Sequence, residues 1–384
     1  MLTHLRRFSR EPAFIRIGVV FAIHAILFAF WVTRIPEIKA ALNLSEGALG
    51  VALFFLPLGA LVAMLSVSWL THRFGVGAVT IWTTTAMIIS MILPFLAPNA
   101  VTLGAYLFVV GVTGGAMDIS MNALVATLER SHQTVIMSTC HGFFSLGGMI
   151  GALLGSALIA AEVAALPQMA AGIALMLFVT HRWLRPMLSP IRETAGEGGA
   201  AFALPGRALL ALSVIAFCSM QGEGIIADWS AVFLEDLPDS RPFMWGLGYA
   251  GFSLTMTLGR FSGDQLIQQR GARAVLLGAF GIVTAGLALT ISGNAWMGIA
   301  GFTVAGLGYA LLVPIVFSEA AKKPGVRPSQ GIAGVATVGY TGFLLGPVVM
   351  GGIAHVASLT VGFGYLIGLS ALGWLVAARA VKRP

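Results

Sequence analysis

Twelve apolar runs, each long enough to cross a lipid bilayer, constrain this chain more than any single motif. They fall near 13–34, 45–69, 76–97, 100–128, 134–160, 163–183, 207–230, 244–266, 273–292, 295–318, 331–354 and 360–379. Hydrocarbon offers no water to the backbone, so a segment crossing it must satisfy its own N–H and C=O groups, as a helix does. The fold expected is therefore an all-α integral membrane protein with twelve transmembrane helices. Composition agrees: 58% of residues are hydrophobic and 10% charged, against about 25% charged in soluble domains. The basic opening MLTHLRRFSREP runs into an apolar stretch from Phe14 to about Val32. That stretch is longer than a signal-peptide core and has no small-x-small site after it, so a retained first span is expected.

An even number of spans puts both termini on one side. All but four of the 22 Lys and Arg lie at the termini or in the even-numbered loops; the exceptions are Arg34, Lys39, Arg241 and, within a span, Arg260. The positive-inside rule then places both termini in the cytoplasm. The high basicity follows from these short loops, and no nucleic-acid partner is expected. Cys140 and Cys218 fall inside apolar spans and read as small core residues rather than a disulfide framework. The outer loops are the more acidic ones. Among them Asn43-Leu44-Ser45 has the form of a glycosylation sequon, but its place at the mouth of a span, with Glu46 following, reads as a helix cap.

The longest hydrophilic connection, rich in Pro and Gly, runs from Leu184 to Arg207. It divides the chain into an N-terminal six-helix half (1–183), a cytoplasmic linker (184–206) and a C-terminal six-helix half (207–384). The halves repeat. An offset of 196 pairs Gly50 with Gly246, Gly75 with Gly271 and Ala78-Val79 with Ala274-Val275; an offset of 199 pairs Phe144 with Phe343 and Gly147 with Gly346, and sets Tyr340 opposite His141. Pseudo-symmetric parallel repeats around a central cavity are a transporter architecture.

Ionisable residues inside the spans are the candidates for function. Counting from the charged turn Glu129, Arg130, His132, Asp118 lies ~16 Å into an apolar layer ~30 Å thick. His141 lies ~13 Å deep on the next span, and Asn122 shares the Asp118 face at i, i+4. A carboxylate at this depth costs ~2.5–3.5 kcal/mol, so it faces a partner or a water-filled path. Two readings stand side by side: a protonatable switch, or a hydrogen-bonded residue that holds two spans together.

Further candidates are His24, with Phe28 and Trp31 on its face at i+4 and i+7, and Gln221, Glu223 and Asp228 in the seventh span. Gly222 and Gly224 flank Glu223 and predict a break in that helix, where backbone and carboxylate would line a cavity. Asp228, nearer the outer surface, reads as interfacial. Arg260 and Asp264, at i, i+4, form a candidate gating ion pair. Tyr340 offers a ring with a polar edge. The chain carries no H-E-x-x-H, no phosphate-binding G-x-x-x-x-G-K-[ST] and no paired-cysteine metal spacing, so an enzyme, a metal or a cofactor is not expected.

The loop Ser68-Trp69-Leu70-Thr71-His72-Arg73-Phe74-Gly75 resembles the signature loop of the major facilitator superfamily, G-x-x-x-D-R-x-G. Arg73 and Gly75 match, while Ser68 replaces the first Gly and His72 the Asp. The equivalent loop in the second half keeps Gly271 and Arg273. Trp31–Gly50, the D-x-x-x-N of Asp118 and Asn122, Ser138–Gly148 and Glu223–Leu234 resemble the YbjJ-type bacterial permeases, which are similar in turn to the fucose-permease branch. That resemblance implies a major facilitator fold and proton-coupled sugar transport, with Asp118 in the coupling role.

The sequence thus leads to a secondary active transporter of a small polar solute, a proton symporter of a sugar or related metabolite working by alternating access. Asp118, Glu223 and His141 are the proton-coupling candidates; His24, Trp31, Asn122, Gln221 and Tyr340 are the substrate contacts. Its partners are the solute, protons and the bilayer, and a monomer is expected. A proton-antiport exporter, a uniporter and a non-transporting membrane sensor are the alternatives.

Overall fold

The computed structural model describes residues 8–64, 66–191 and 204–380, which are helical with short connections and contain no strand. The principal helices are α1 (Pro12–Ala41), α2 (Glu46–Ala63), α3 (Val67–Phe74), α4 (Val76–Ser90), α5 (Ala100–His132), α6 (Met137–Ala160) and α7 (Ala165–Val179). They continue as α8 (Arg185–Leu188), α9 (Leu210–Glu235), α10 (Trp245–Arg270), α11 (Ala272–Thr290), α12 (Ala295–Ala321), α13 (Pro328–Val356) and α14 (Leu359–Ala380).

Among the described residues, ten helices are long and apolar enough to cross a membrane. The two remaining spans of the expected twelve are α7, prolonged by a π-turn over Thr180–Leu184, and α10, whose last turns are polar. The second span breaks near Ser66, so its last residues form the amphipathic α3. The third ends at Ser90, with Pro94 in a following 3₁₀ turn.

The chain forms two compact units, Met1–Leu42 with Phe55–Gly198, and Asn43–Phe54 with Gly199–Pro384. This division differs from a cut at the linker because α2 is shared out between them. In its first half, a Cβ built on Gly50 would stand 2.9 Å from Gly351 Cα of α13. In its second half, one on Gly111 of α5 would stand 2.0 Å from the Leu56 carbonyl oxygen. Of the linker, residues 192–203 lie outside the described residues. Its beginning docks on α4 in the first unit, where the Gly77 N–H donates to the Ile191 carbonyl at 2.9 Å.

Lipid tails are as apolar as leucine, so helices here associate through close packing and polar rungs rather than hydrophobic expulsion. In the first unit α6 lies against α1, with Cβ positions on Gly147 and Gly151 both 2.6 Å from α1 carbonyl oxygens. Hydroxyl rungs join α4 to α5: Thr83 with Ser120 at 2.9 Å and Ser90 with Thr113 at 2.7 Å. In the second unit α9 and α13 approach likewise, with a Cβ on Gly342 2.8 Å from the Phe217 carbonyl oxygen.

The repeat is visible in the backbone. Gly75 (φ 90°, ψ 139°) ends α3 and starts α4, and Gly271 (φ 77°, ψ 152°) ends α10 and starts α11. A different outcome holds at the sequon. Asn43 ends α1 in a left-handed conformation (φ 50°), and the cap of α2 is Ser45, whose Oγ accepts the Ala48 N–H at 3.2 Å.

Candidate functional site

In the first unit, α5 passes unbroken through Asp118, so Asn122 one turn on faces the same way. Its amide nitrogen donates to the Asp118 carbonyl at 2.8 Å and to Oδ1 at 3.3 Å. Both residues are half-buried. His24 of α1 lies near this carboxylate's helix: a Cβ on Gly114, one turn before Asp118, would stand 3.7 Å from His24 Nε2. The His24 ring meets Phe144 of α6 edge-on at 5.5 Å, and its buried Nδ1 has no hydrogen-bond partner among the described residues. The ring contact of His141 is with Phe21 of α1, at 5.3 Å.

Trp31 is buried, edge-on to Phe95 at 6.0 Å. Arg34, one turn further, was expected in an outer loop and is instead buried, because α1 continues to Ala41. Its Nε donates to Gln168 Oε1 at 3.0 Å, one Nη to the Val163 carbonyl at 2.6 Å, and the other to Glu37.

In the second unit, α9 is continuous from Leu210 to Glu235, so the expected break at Glu223 is absent. The flanking glycines serve close approach instead. A Cβ on Gly222 would stand 2.0 Å from the Tyr309 hydroxyl, and one on Gly224 2.7 Å from the Phe343 ring. Gln221 is buried and accepts the Tyr365 hydroxyl at 2.9 Å.

Glu223 lies within electrostatic reach of Arg260 and Tyr309. Tyr249, hydrogen-bonded to Ser253, lies within reach of Arg260, Asp228 and Glu223. Asp228, read from sequence as interfacial, shares with Glu223 and Arg260 this electrostatic reach to Tyr249. The two tyrosines give no separate signal in sequence, since an aromatic in an apolar span looks like packing. Asp264 sits one turn after Arg260, its side chain outside the described residues. Tyr340 is exposed beside Phe343, ring centres 6.4 Å apart.

Each unit thus sets carboxylates and neutral hydrogen-bonding groups inside apolar helices, as a path for a polar solute or a proton requires. A family model described as Major Facilitator Superfamily matches residues 16–326. The chain belongs to that superfamily. Relatives match along nearly its full length. An uncharacterised MFS-type transporter of Yersinia pestis is 32% identical over 95% of this chain and 94% of its own. Membrane protein MosC of Rhizobium meliloti is 33% identical over 94% and 88%. An uncharacterised transporter of Sinorhizobium fredii is 30% identical over 94% and 96%.

Two crystal structures of nucleoside transporter NupG share the fold. The substituted form has a TM-score of 0.79 at 12% identity, and the other 0.76 at 14%; both alignments cover 97% of this chain and 100% of NupG. The protein is accordingly a multi-pass secondary transporter with the twelve-helix major facilitator fold, and not an enzyme.

Proposed function

We propose that this superfamily member is a proton-coupled importer of a small hydroxylated solute, a sugar or related metabolite, in a bacterial inner membrane. Both termini are cytoplasmic, the six-helix halves are 1–183 and 207–384, and the monomer is the working unit. The reading keeps the chain with the YbjJ-type permeases and the fucose-permease branch.

The observation that carries it is the Asp118–Asn122 pair. A half-buried carboxylate in the middle of an apolar helix accepts a side-chain hydrogen bond from a neutral amide, and an uncompensated charge is unfavourable in that setting. Proton uptake at Asp118 removes the charge, and Asn122 and His24 remain to meet hydroxyls. In the second unit Glu223, within electrostatic reach of Arg260, is the second coupling acid, and Tyr340 is the exposed aromatic contact. Trp31 in the first unit and Gln221 in the second, both buried, are the remaining substrate-contact residues of this reading.

The test is flux in proteoliposomes across a panel of sugars, nucleosides, organic acids and amphiphiles, with and without an imposed inward proton gradient. Uptake of a hydroxylated solute that accelerates with the gradient, and that loses its pH dependence in Asp118→Asn, is the expected result. An unchanged pH dependence in Asp118→Asn sinks the coupling role. Solute moving against the inward proton flow makes the protein an exporter.

A further inference from the structure

We propose that the face formed by Trp69, Arg73, Phe74 and Trp82 binds an anionic phospholipid, its phosphodiester on Arg73 and its upper acyl chain along the rings. This inference is independent of the transported solute.

Four side chains of α3 and α4 make the face. Trp69 and Trp82 are 61% and 52% exposed, and Phe74 is also exposed. The rings form a ladder, Trp69 edge-on to Phe74 at 6.3 Å and Phe74 edge-on to Trp82 at 5.3 Å. The exposed Arg73 lies over two of them, its Cζ 5.7 Å from the Trp69 centroid and 5.5 Å from that of Phe74. Stacking of this kind holds a guanidinium plane while leaving its N–H edge open.

That edge is unclaimed. Among the described residues no carboxylate or carbonyl accepts from Arg73, and the loop Ser68–Gly75 contains no acid, since His72 stands where the superfamily signature has Asp. Arg273, the arginine kept by the corresponding loop of the second unit, is by contrast bonded to the Ala378 carbonyl. Phosphate oxygens match a guanidinium fork in charge and shape. Tryptophan at the end of a membrane span sits at headgroup level. Three exposed rings beside the cation give apolar area that a free anion would leave bare, so the occupant is a lipid.

The experiment counts retained lipid by native mass spectrometry. Delipidated protein is incubated with phosphatidylglycerol or with phosphatidylcholine of the same acyl chains, and separately with glycerol phosphate. Phosphatidylglycerol adducts are expected to dominate and to fall about tenfold in Arg73→Gln, the loss of one charge-assisted contact. They should fall likewise in Trp69→Leu and in Trp82→Leu. Arg270→Gln, which removes the same charge elsewhere, should retain them. Equal adducts in Arg73→Gln, equal retention of phosphatidylcholine, or capture of glycerol phosphate alone would each overturn the proposal.

Discussion

The amide of Asn122 donates both to the carboxylate of Asp118, at 3.3 Å, and to its carbonyl, at 2.8 Å, so one side chain ties the acid to its own helix turn. A hydrogen bond to a charged group is worth ~1.5–3 kcal/mol. Asn122→Ala is therefore expected to slow gradient-driven uptake by roughly 10- to 100-fold at unchanged expression and thermal stability. Asn122→Gln, which keeps the donor on a longer arm, should recover part of the rate. Uptake as fast as the parent in Asn122→Ala would show that the amide does not serve the acid.

Gly222 and Tyr309 give a packing test. In a helix interior Gly→Ala ordinarily stabilises by ~1 kcal/mol. Here the new methyl would meet the Tyr309 hydroxyl at 2.0 Å, so Gly222→Ala is expected to destabilise by ~1–3 kcal/mol, the usual cost of overpacking. Thermal unfolding in detergent measures it. In a Tyr309→Leu background the same substitution should cost much less, because the ring that blocks it is gone.

These two cases also show what could be read from the chain. Asp118 and Asn122 lie on one helix, where the 3.6-residue period fixes their relation before any neighbour is known. The glycines around Glu223 were equally visible, but whether glycine marks a break or a close approach depends on Tyr309 and Phe343, which are more than eighty residues away in sequence. Tyr249 and Tyr309 were hidden for the same reason: the rotation of α10 and α12 decides whether a tyrosine meets lipid or Glu223. Arg34 was misplaced because its helix outlasts the apolar run that announced it.

Arg34 is the clearest stability determinant of the C-terminal end of α1. Its fork is held by Gln168, Val163 and Glu37 while the residue is 2% exposed. Removing an acceptor strands part of a buried cation, so Gln168→Leu is expected to cost ~1–3 kcal/mol. Arg34→Lys should not be silent either, since an ammonium cannot match a planar three-partner fork. A thermal shift of Gln168→Leu indistinguishable from the parent would mean that water or lipid replaces the amide.

Gly75 and Gly271 test the repeat itself. Their φ of 90° and 77°, with ψ of 139° and 152°, lie in a region that a Cβ excludes. Gly75→Ala and Gly271→Ala are each expected to destabilise by ~1–3 kcal/mol, with similar magnitudes because both joints make the same turn between consecutive helices. The two sites lie in different compact units, and the double variant is expected to show the sum of the single effects. Measuring all three by thermal unfolding separates a duplicated hinge from coincidence: if Gly271→Ala alone were neutral, its loop would have relaxed away from the shared geometry, and the correspondence at offset 196 would hold in sequence without holding in energy.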